Sequence, residues 1–149
     1  MVKTSMETVS FETDWEFKAP VEKVYRAFTN VEALEKWSCG TMYDNIALDI
    51  DPRIGGVLHQ RVRSKKDGSL WTFFGVYLAV EEFSVLEYTF DWKQDWREAP
   101  EPTVVEIEFF DIAGQTRIHL VHSQIPKQVA EFTEMHWKNF LQVLENQMG

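Results

Sequence analysis

Lys127-Gln128-Val129-Ala130-Glu131-Phe132-Thr133-Glu134-Met135-His136-Trp137-Lys138-Asn139-Phe140-Leu141-Gln142-Val143-Leu144-Glu145-Asn146-Gln147-Met148 closes the chain, and its periodicity decides the architecture. At 100° per residue, Val129, Phe132, Trp137, Phe140, Leu141, Val143, Leu144 and Met148 fall within an arc of roughly 180°. Lys127, Glu131, Glu134, Lys138 and Glu145 lie opposite, and Met135 is the apolar exception on that side. The spacing predicts an amphipathic helix over about 127–148. Such a helix must bury its apolar stripe on a surface of matching size, and the rest of the chain has to supply one.

Upstream the period changes from 3.6 to two. Thr103–Phe110 and Thr116–His122 alternate as strands, joined by the hairpin turn Ala113-Gly114-Gln115. Trp71–Val80 and Val85–Trp92 precede them. Before these, one strand runs to about Arg63 and ends at Lys66-Asp67-Gly68, where Asp-Gly tolerates the positive φ of a tight turn. Ile46, Leu48 and Ile50 mark a shorter strand, and Gly55-Gly56 reads as a bulge or bend in a curved sheet. At the start, Val9, Phe11, Thr13, Trp15 and Phe17 share one face, while Thr8, Ser10, Glu12, Asp14 and Glu16 share the wet one. Pro20 suits a helical first turn, and Val21, Val24, Tyr25 and Phe28 follow at helical spacing. Asn30 caps a second short helix carrying Leu34 and Trp37. The predicted fold is α+β: a curved, seven-stranded antiparallel sheet, two short helices after the first strand, and a long C-terminal helix across the sheet.

That order resembles the START-like (SRPBCC) superfamily of helix-grip proteins. Within it the chain is most similar to bacterial proteins resembling the C-terminal domain of the activator of Hsp-90 ATPase. The resemblance is carried by Ala19-Pro20-Val21-Glu22-Lys23-Val24-Tyr25-Arg26-Ala27-Phe28 with Trp37, by Gly55-Gly56, by Phe74-Gly75-Val76-Tyr77-Leu78 and by Leu86–Trp92. Thr116–Ser123 is its most specific stretch, followed by Glu134, Trp137 and Leu141. It covers about residues 8–148. It implies a cavity between sheet and helix, where members of the superfamily hold lipids, sterols or polyketides and a few catalyse cyclisation or dehydration. The chaperone-activating members carry a further N-terminal domain, for which these 149 residues leave no room. Asp14-Trp15-Glu16-Phe17 also departs from their Asn-Trp-His-Trp motif. Chaperone activation is therefore not inherited with the resemblance, and contact with a chaperone stays open.

Length and composition bound the rest. The 149 residues are expected to form one domain, 1–149, with 44% apolar and 14% aromatic content. Lys plus Arg is 15 and Asp plus Glu is 24, giving a net charge of −9, which disfavours nucleic acid and anionic membrane surfaces. The basic run Arg61, Arg63, Lys65 and Lys66 reads as a solvated hairpin end. Cys39 is the sole cysteine, consistent with a reducing compartment. Met1–Ser5 lacks the apolar run of a signal peptide, so a cytoplasmic location is expected, as monomer or homodimer.

Candidate chemistry concentrates on inward faces. His136 sits at the centre of the helix's apolar arc, with Thr133 the other polar residue there. A buried imidazole can donate, accept or shuttle a proton. The plainer alternative is a core histidine bonded to a tyrosine or to water. His122 shares its strand face with Ile118 and Leu120, while Arg117 and His119 face outward. It approaches the helix N-terminus or ties its strand to the loop Ser123–Pro126. Neither histidine has metal-ligand spacing, and no metal or other cofactor is expected. Trp71, Phe73, Tyr88, Phe90 and Trp92 fall on interior strand faces, joined by Trp37, Tyr43 and Phe140 from the helical side. Aromatic walls suit a planar or lipophilic guest, or they simply fill the space. Trp92, Trp96, Pro100 and Pro102 lie between charges in the segment Asp91–Thr103, a candidate lid or contact site.

Three functions follow. The leading one is binding of a small lipophilic or aromatic molecule, oriented by His136, His122 and Tyr88. The second is a cavity enzyme with His136 as acid or base, the less favoured reading. The third is a protein-interaction or chaperone-accessory module with an apolar patch near Trp96.

Overall fold

Each strand forms where alternation lets one face meet the helix and the other meet water. The structure, a computed structural model, describes residues 7–94, 97–98 and 102–148. Strand β1 (Thr8–Phe17) leads into helices α1 (Val21–Thr29) and α2 (Val31–Glu35). Strands β2 (Tyr43–Ile50), β3 (Val57–Ser64), β4 (Leu70–Glu81), β5 (Val85–Gln94), β6 (Arg97–Glu98), β7 (Thr103–Ile112) and β8 (Gln115–Pro126) follow. A 3₁₀ turn at Lys127–Val129 then leads into helix α3 (Ala130–Met148).

The seven long strands form one antiparallel sheet in the order β1-β8-β7-β5-β4-β3-β2, with the two-residue β6 paired to β5. Every pairing is antiparallel. Register shifts at Val9/Phe11, Asn45/Ala47 and Tyr77/Ala79 add twist and bend the sheet around the helix. The α+β helix-grip layout expected from the periodicity is the one observed.

Local chemistry sets the boundaries. Pro20, at φ −63°, supplies the carbonyl that accepts from Val24 N at 3.1 Å and opens α1. The extended Asn30 ends that helix, and its Oδ1 accepts from Ala33 N at 3.1 Å to open α2. In the β3–β4 hairpin the Asp67 carboxylate accepts from both Ser69 N and Ser69 Oγ, while Gly68 takes φ 75°. Gly55-Gly56 ends the β2–β3 connection, where Gly55 N and Gly56 O exchange hydrogen bonds with Tyr77.

The interior is shared by α1, α3 and the concave sheet face. Val24, Tyr25, Ala27 and Phe28 of α1 pack with Phe17, Ile107, Phe109 and Ile118. Leu141 and Leu144 of α3 are wholly enclosed, each worth about 1.5–3 kcal/mol of transfer free energy. The helix is latched to the α2–β2 loop by Asn139, whose Oδ1 accepts from Thr41 N and whose Nδ2 donates to Thr41 Oγ1, both at 2.9 Å. Gly40, at φ +55°, makes this latch possible, since a Cβ there would sit 2.0 Å from Asn139 Oδ1.

Some sequence expectations shift. Strand β2 begins at Tyr43, and Ile46, grouped above with Leu48 and Ile50, is 47% exposed. The register shift at Asn45/Ala47 inserts one residue and reverses the parity, so Tyr43 turns inward and Ile46 outward. Phe132 lies on the predicted inner arc but is 51% exposed, because it sits at the rim of the interior. Strand β5 includes Trp92 as expected but runs two residues further, to Gln94, into the candidate lid segment. Trp96 and Pro100 lie outside the described residues.

Candidate ligand cavity

A cavity of about 180 Å³ lies between the sheet and the middle of α3. Period-two faces of five strands and one helical stripe converge on it. Strand β4 contributes Trp71 and Phe73, and β5 contributes Tyr88, Phe90 and Trp92. Strand β2 adds Tyr43, β8 adds His122, α3 adds Thr133, His136 and Phe140, and Trp37 closes the end near α2. The eleven residues expected from the sequence to bind a ligand therefore border this space, whereas Pro102 of the candidate lid does not. Phe73 and Phe90 stack at 5.4 Å between ring centroids, making a flat aromatic panel.

His136 is held on both ring nitrogens. Its Nδ1 lies 2.7 Å from the Phe132 carbonyl oxygen, which can only accept, so Nδ1 carries the proton. The neutral ring then accepts at Nε2 from the Tyr43 hydroxyl, also at 2.7 Å. The two rings stack with centroids 5.6 Å apart. Burial holds the His136 pKa below its ordinary value, although the Phe132 bond acts the other way. Burial likewise pushes the Tyr43 hydroxyl up to about 12, with the Asp67 and Cys39 charges acting in the same direction. The pair is thus a neutral donor and a neutral acceptor at neutral pH.

His122 is more enclosed, at 2% exposure, and equally committed. The Trp137 indole N–H can only donate, so His122 Nδ1 accepts from it at 2.9 Å. Its Nε2–H then donates to Thr103 Oγ1 at 2.7 Å, and Thr103 in turn donates to the Phe90 carbonyl. Burial lowers the His122 pKa to about 4. This corrects the placement expected from sequence. Ser123–Pro126, expected as a loop, continues strand β8, and His122 ties that strand to the start of β7 and to the middle of α3. Thr133 also spends its hydroxyl internally, donating to the Val129 carbonyl at 2.8 Å.

Sequence reasoning passed over Leu34, Ser38, Leu48, Leu58 and Gln60, which complete the wall. Gln60 Nε2 donates to Ser38 Oγ at 3.0 Å and to Asn45 Oδ1 at 3.1 Å. The signal was present: Gln60 alternates with Leu58 and Val62 on one strand face, and a lone amide among aliphatics marks a polar spot inside. No Asp, Glu, Lys or Arg borders the cavity among the described residues. Nor does any group of three or more metal-ligating side chains occur among them. No helix among them is long and apolar enough to cross a membrane.

An antiparallel sheet gripping one long helix over an internal cavity defines the helix-grip, START-like class of protein. Solved structures share the fold. Protein CV1439 from Chromobacterium violaceum superposes with a TM-score of 0.82 at 24% identity, covering 93% of this chain and 96% of that one. Protein Ms6760 from Mycobacterium smegmatis gives 0.83 at 18% identity, covering 100% and 96%. The AHSA1 protein from Silicibacter pomeroyi gives 0.82 at 17% identity, covering 93% and 96%. The chain belongs to the AHSA1 family, described as activator of Hsp90 ATPase homolog 1-like proteins, whose profile matches residues 18–149. No curated protein sequence matches it.

Proposed function

We propose that this chain is a binding protein for a small lipophilic or aromatic molecule, held between the sheet and α3 and acting in the cytoplasm. The observation that carries this reading is the cavity itself. Its walls are largely aromatic, its polar side chains are uncharged, and Tyr43–His136, Gln60–Ser38 and Trp137–His122 are bonded pairwise around an open centre. Well-packed interiors leave few voids larger than a water molecule. A space of about 180 Å³ with hydrogen-bonded walls supports a site for a small guest. Native mass spectrometry of the purified protein, followed by denaturation and extraction, tests it. A co-purified mass of a few hundred daltons supports the reading. A clean apo mass together with no rise in melting temperature across lipids and aromatics would overturn it.

The family description favours a second reading, a chaperone-accessory role. Stimulation of ATP hydrolysis by a purified Hsp90 would support that role, and unchanged hydrolysis would remove it. A cavity enzyme using His136 would have to break the Tyr43 hydrogen bond to free Nε2 as a base. His136→Ala should then abolish turnover while leaving binding intact.

A further inference from the structure

We infer that the guest is a neutral, single-ring molecule whose oxygen accepts a hydrogen bond from Tyr88. This rests on the binding reading above and narrows it by size, charge and polarity.

Size comes first. An engineered protein cavity of about 150 Å³ accommodates benzene, so about 180 Å³ suits one substituted ring. A sterol or a long acyl chain would need the walls to move apart. Those walls are fixed by the Tyr43–His136, His122–Thr103 and Trp137–His122 bonds.

Charge follows. The described wall carries no ionised side chain, and both imidazoles are neutral with the tautomers fixed above. A carboxylate or ammonium guest would lose its hydration with nothing to pair against, which is strongly unfavourable.

Polarity singles out one buried residue of the wall, since Trp92, whose indole N–H also has no hydrogen bond among the described residues, is only half-buried. Trp37 donates to the Ala27 carbonyl at 2.8 Å, and Trp71 donates to Ser69 Oγ at 3.1 Å. His122, His136, Tyr43 and Thr133 are likewise engaged. Tyr88 differs. It is only 7% exposed and borders the cavity, yet its hydroxyl makes no hydrogen bond to a described residue. The neighbouring Tyr77 hydroxyl also lacks a partner, but it is sealed behind the wall, whereas Tyr88 faces the space. A hydroxyl left without a partner beside an apolar cavity is unfavourable, and a guest's carbonyl or ether oxygen would satisfy it.

The test compares acetophenone with its oxygen-free analogue cumene and with benzoate, by isothermal titration on the wild type and on Tyr88→Phe. Wild type should bind acetophenone and cumene but not benzoate. Tyr88→Phe should weaken acetophenone about fivefold and leave cumene unchanged, the difference expected of one net hydrogen bond. Retained cumene binding shows that the variant keeps its cavity. Equal effects on both ligands, or benzoate binding as tightly as acetophenone, would overturn the inference while leaving the binding reading intact. Binding of palmitate or cholesterol with no binding of either ring compound would do the same. Failure of every compound to bind would overturn both.

Discussion

The interior has a filled half beneath α1 and a hollow half beneath the middle of α3, and both are built largely from aromatic rings. In the filled half, Tyr25 and Phe28 both meet Phe109 edge-on, with centroids 5.2 Å and 5.6 Å apart. Phe28 also meets Trp37 at 4.8 Å. In the hollow half, Phe73, Phe90, Trp92 and Phe140 stand around a space. Ring content therefore does not decide which half collapses. The polar residues do. Tyr43, Gln60, His122 and His136 each bond to a neighbour along the wall, so each side chain is held at the perimeter. Satisfied buried networks fix geometry in this way.

The largest test of this contrast is a matched pair of truncations. Leu141→Ala in the filled half should cost about 2–5 kcal/mol in urea unfolding, since it opens a cavity in a sealed core. Phe73→Ala should cost about 1–2 kcal/mol, because one side of that ring already faces empty space. Equal losses would mean that the halves are packed alike.

Acid comes next. An unfolded imidazole takes up its proton near pH 6.5, whereas folded His122 does so only near pH 4. Between those values the unfolded state binds more protons, so stability falls as pH is lowered through the window. The loss is on the order of 3 kcal/mol. His136, also lowered by burial, adds in the same direction. Urea titrations between pH 7 and pH 4 measure the sum, and a flat profile would show that these rings are solvated.

A smaller effect separates the two imidazoles. Tyr43→Phe should cost about 1 kcal/mol and raise the His136 pKa, seen by NMR titration, because Nε2 loses its donor. The His122 titration should not move. Coupled movement of both would mean that the walls behave as one network.

The smallest effect lies outside the sheet, where His119 meets Asp14 at 2.7 Å and Glu12 at 3.0 Å. Those carboxylates raise its pKa, so its contribution is complete below about pH 6.5 and lost as pH rises through the raised value. Being solvated, the pair should contribute under about 1 kcal/mol, read as the change in unfolding midpoint for His119→Ala.

Most of the cavity wall was legible because period-two faces and a helical arc report direction, and direction is what a wall needs. Trp71, Phe73, Tyr88, Phe90 and His136 follow from counting along single elements. Parity fails where pairing inserts a residue, as at Asn45/Ala47, since a bulge depends on both strands. The partners of His122 were hidden for a related reason. Thr103 and Trp137 stand 19 and 15 residues away, and only the wrapping of the sheet brings them to one ring. Whether rings meet or stand apart is likewise a property of three-dimensional bonding, invisible to periodicity.

The Gly40 latch gives the molecule a built-in clock. Cys39 lies beside it, buried, with its thiol pushed up to about 11 by burial and by the Asp44 and Glu35 charges. It also accepts from Gln60 Nε2 at 3.6 Å. As the only cysteine in the chain, it gives a labelling signal with a single source. Release of Asn139 by the stretch joining α2 to β2 should expose it to a thiolate-selective reagent. Cys39 directly follows Trp37 and Ser38 of the cavity wall, so slower labelling in the presence of an added compound would report that a guest steadies that end of the site.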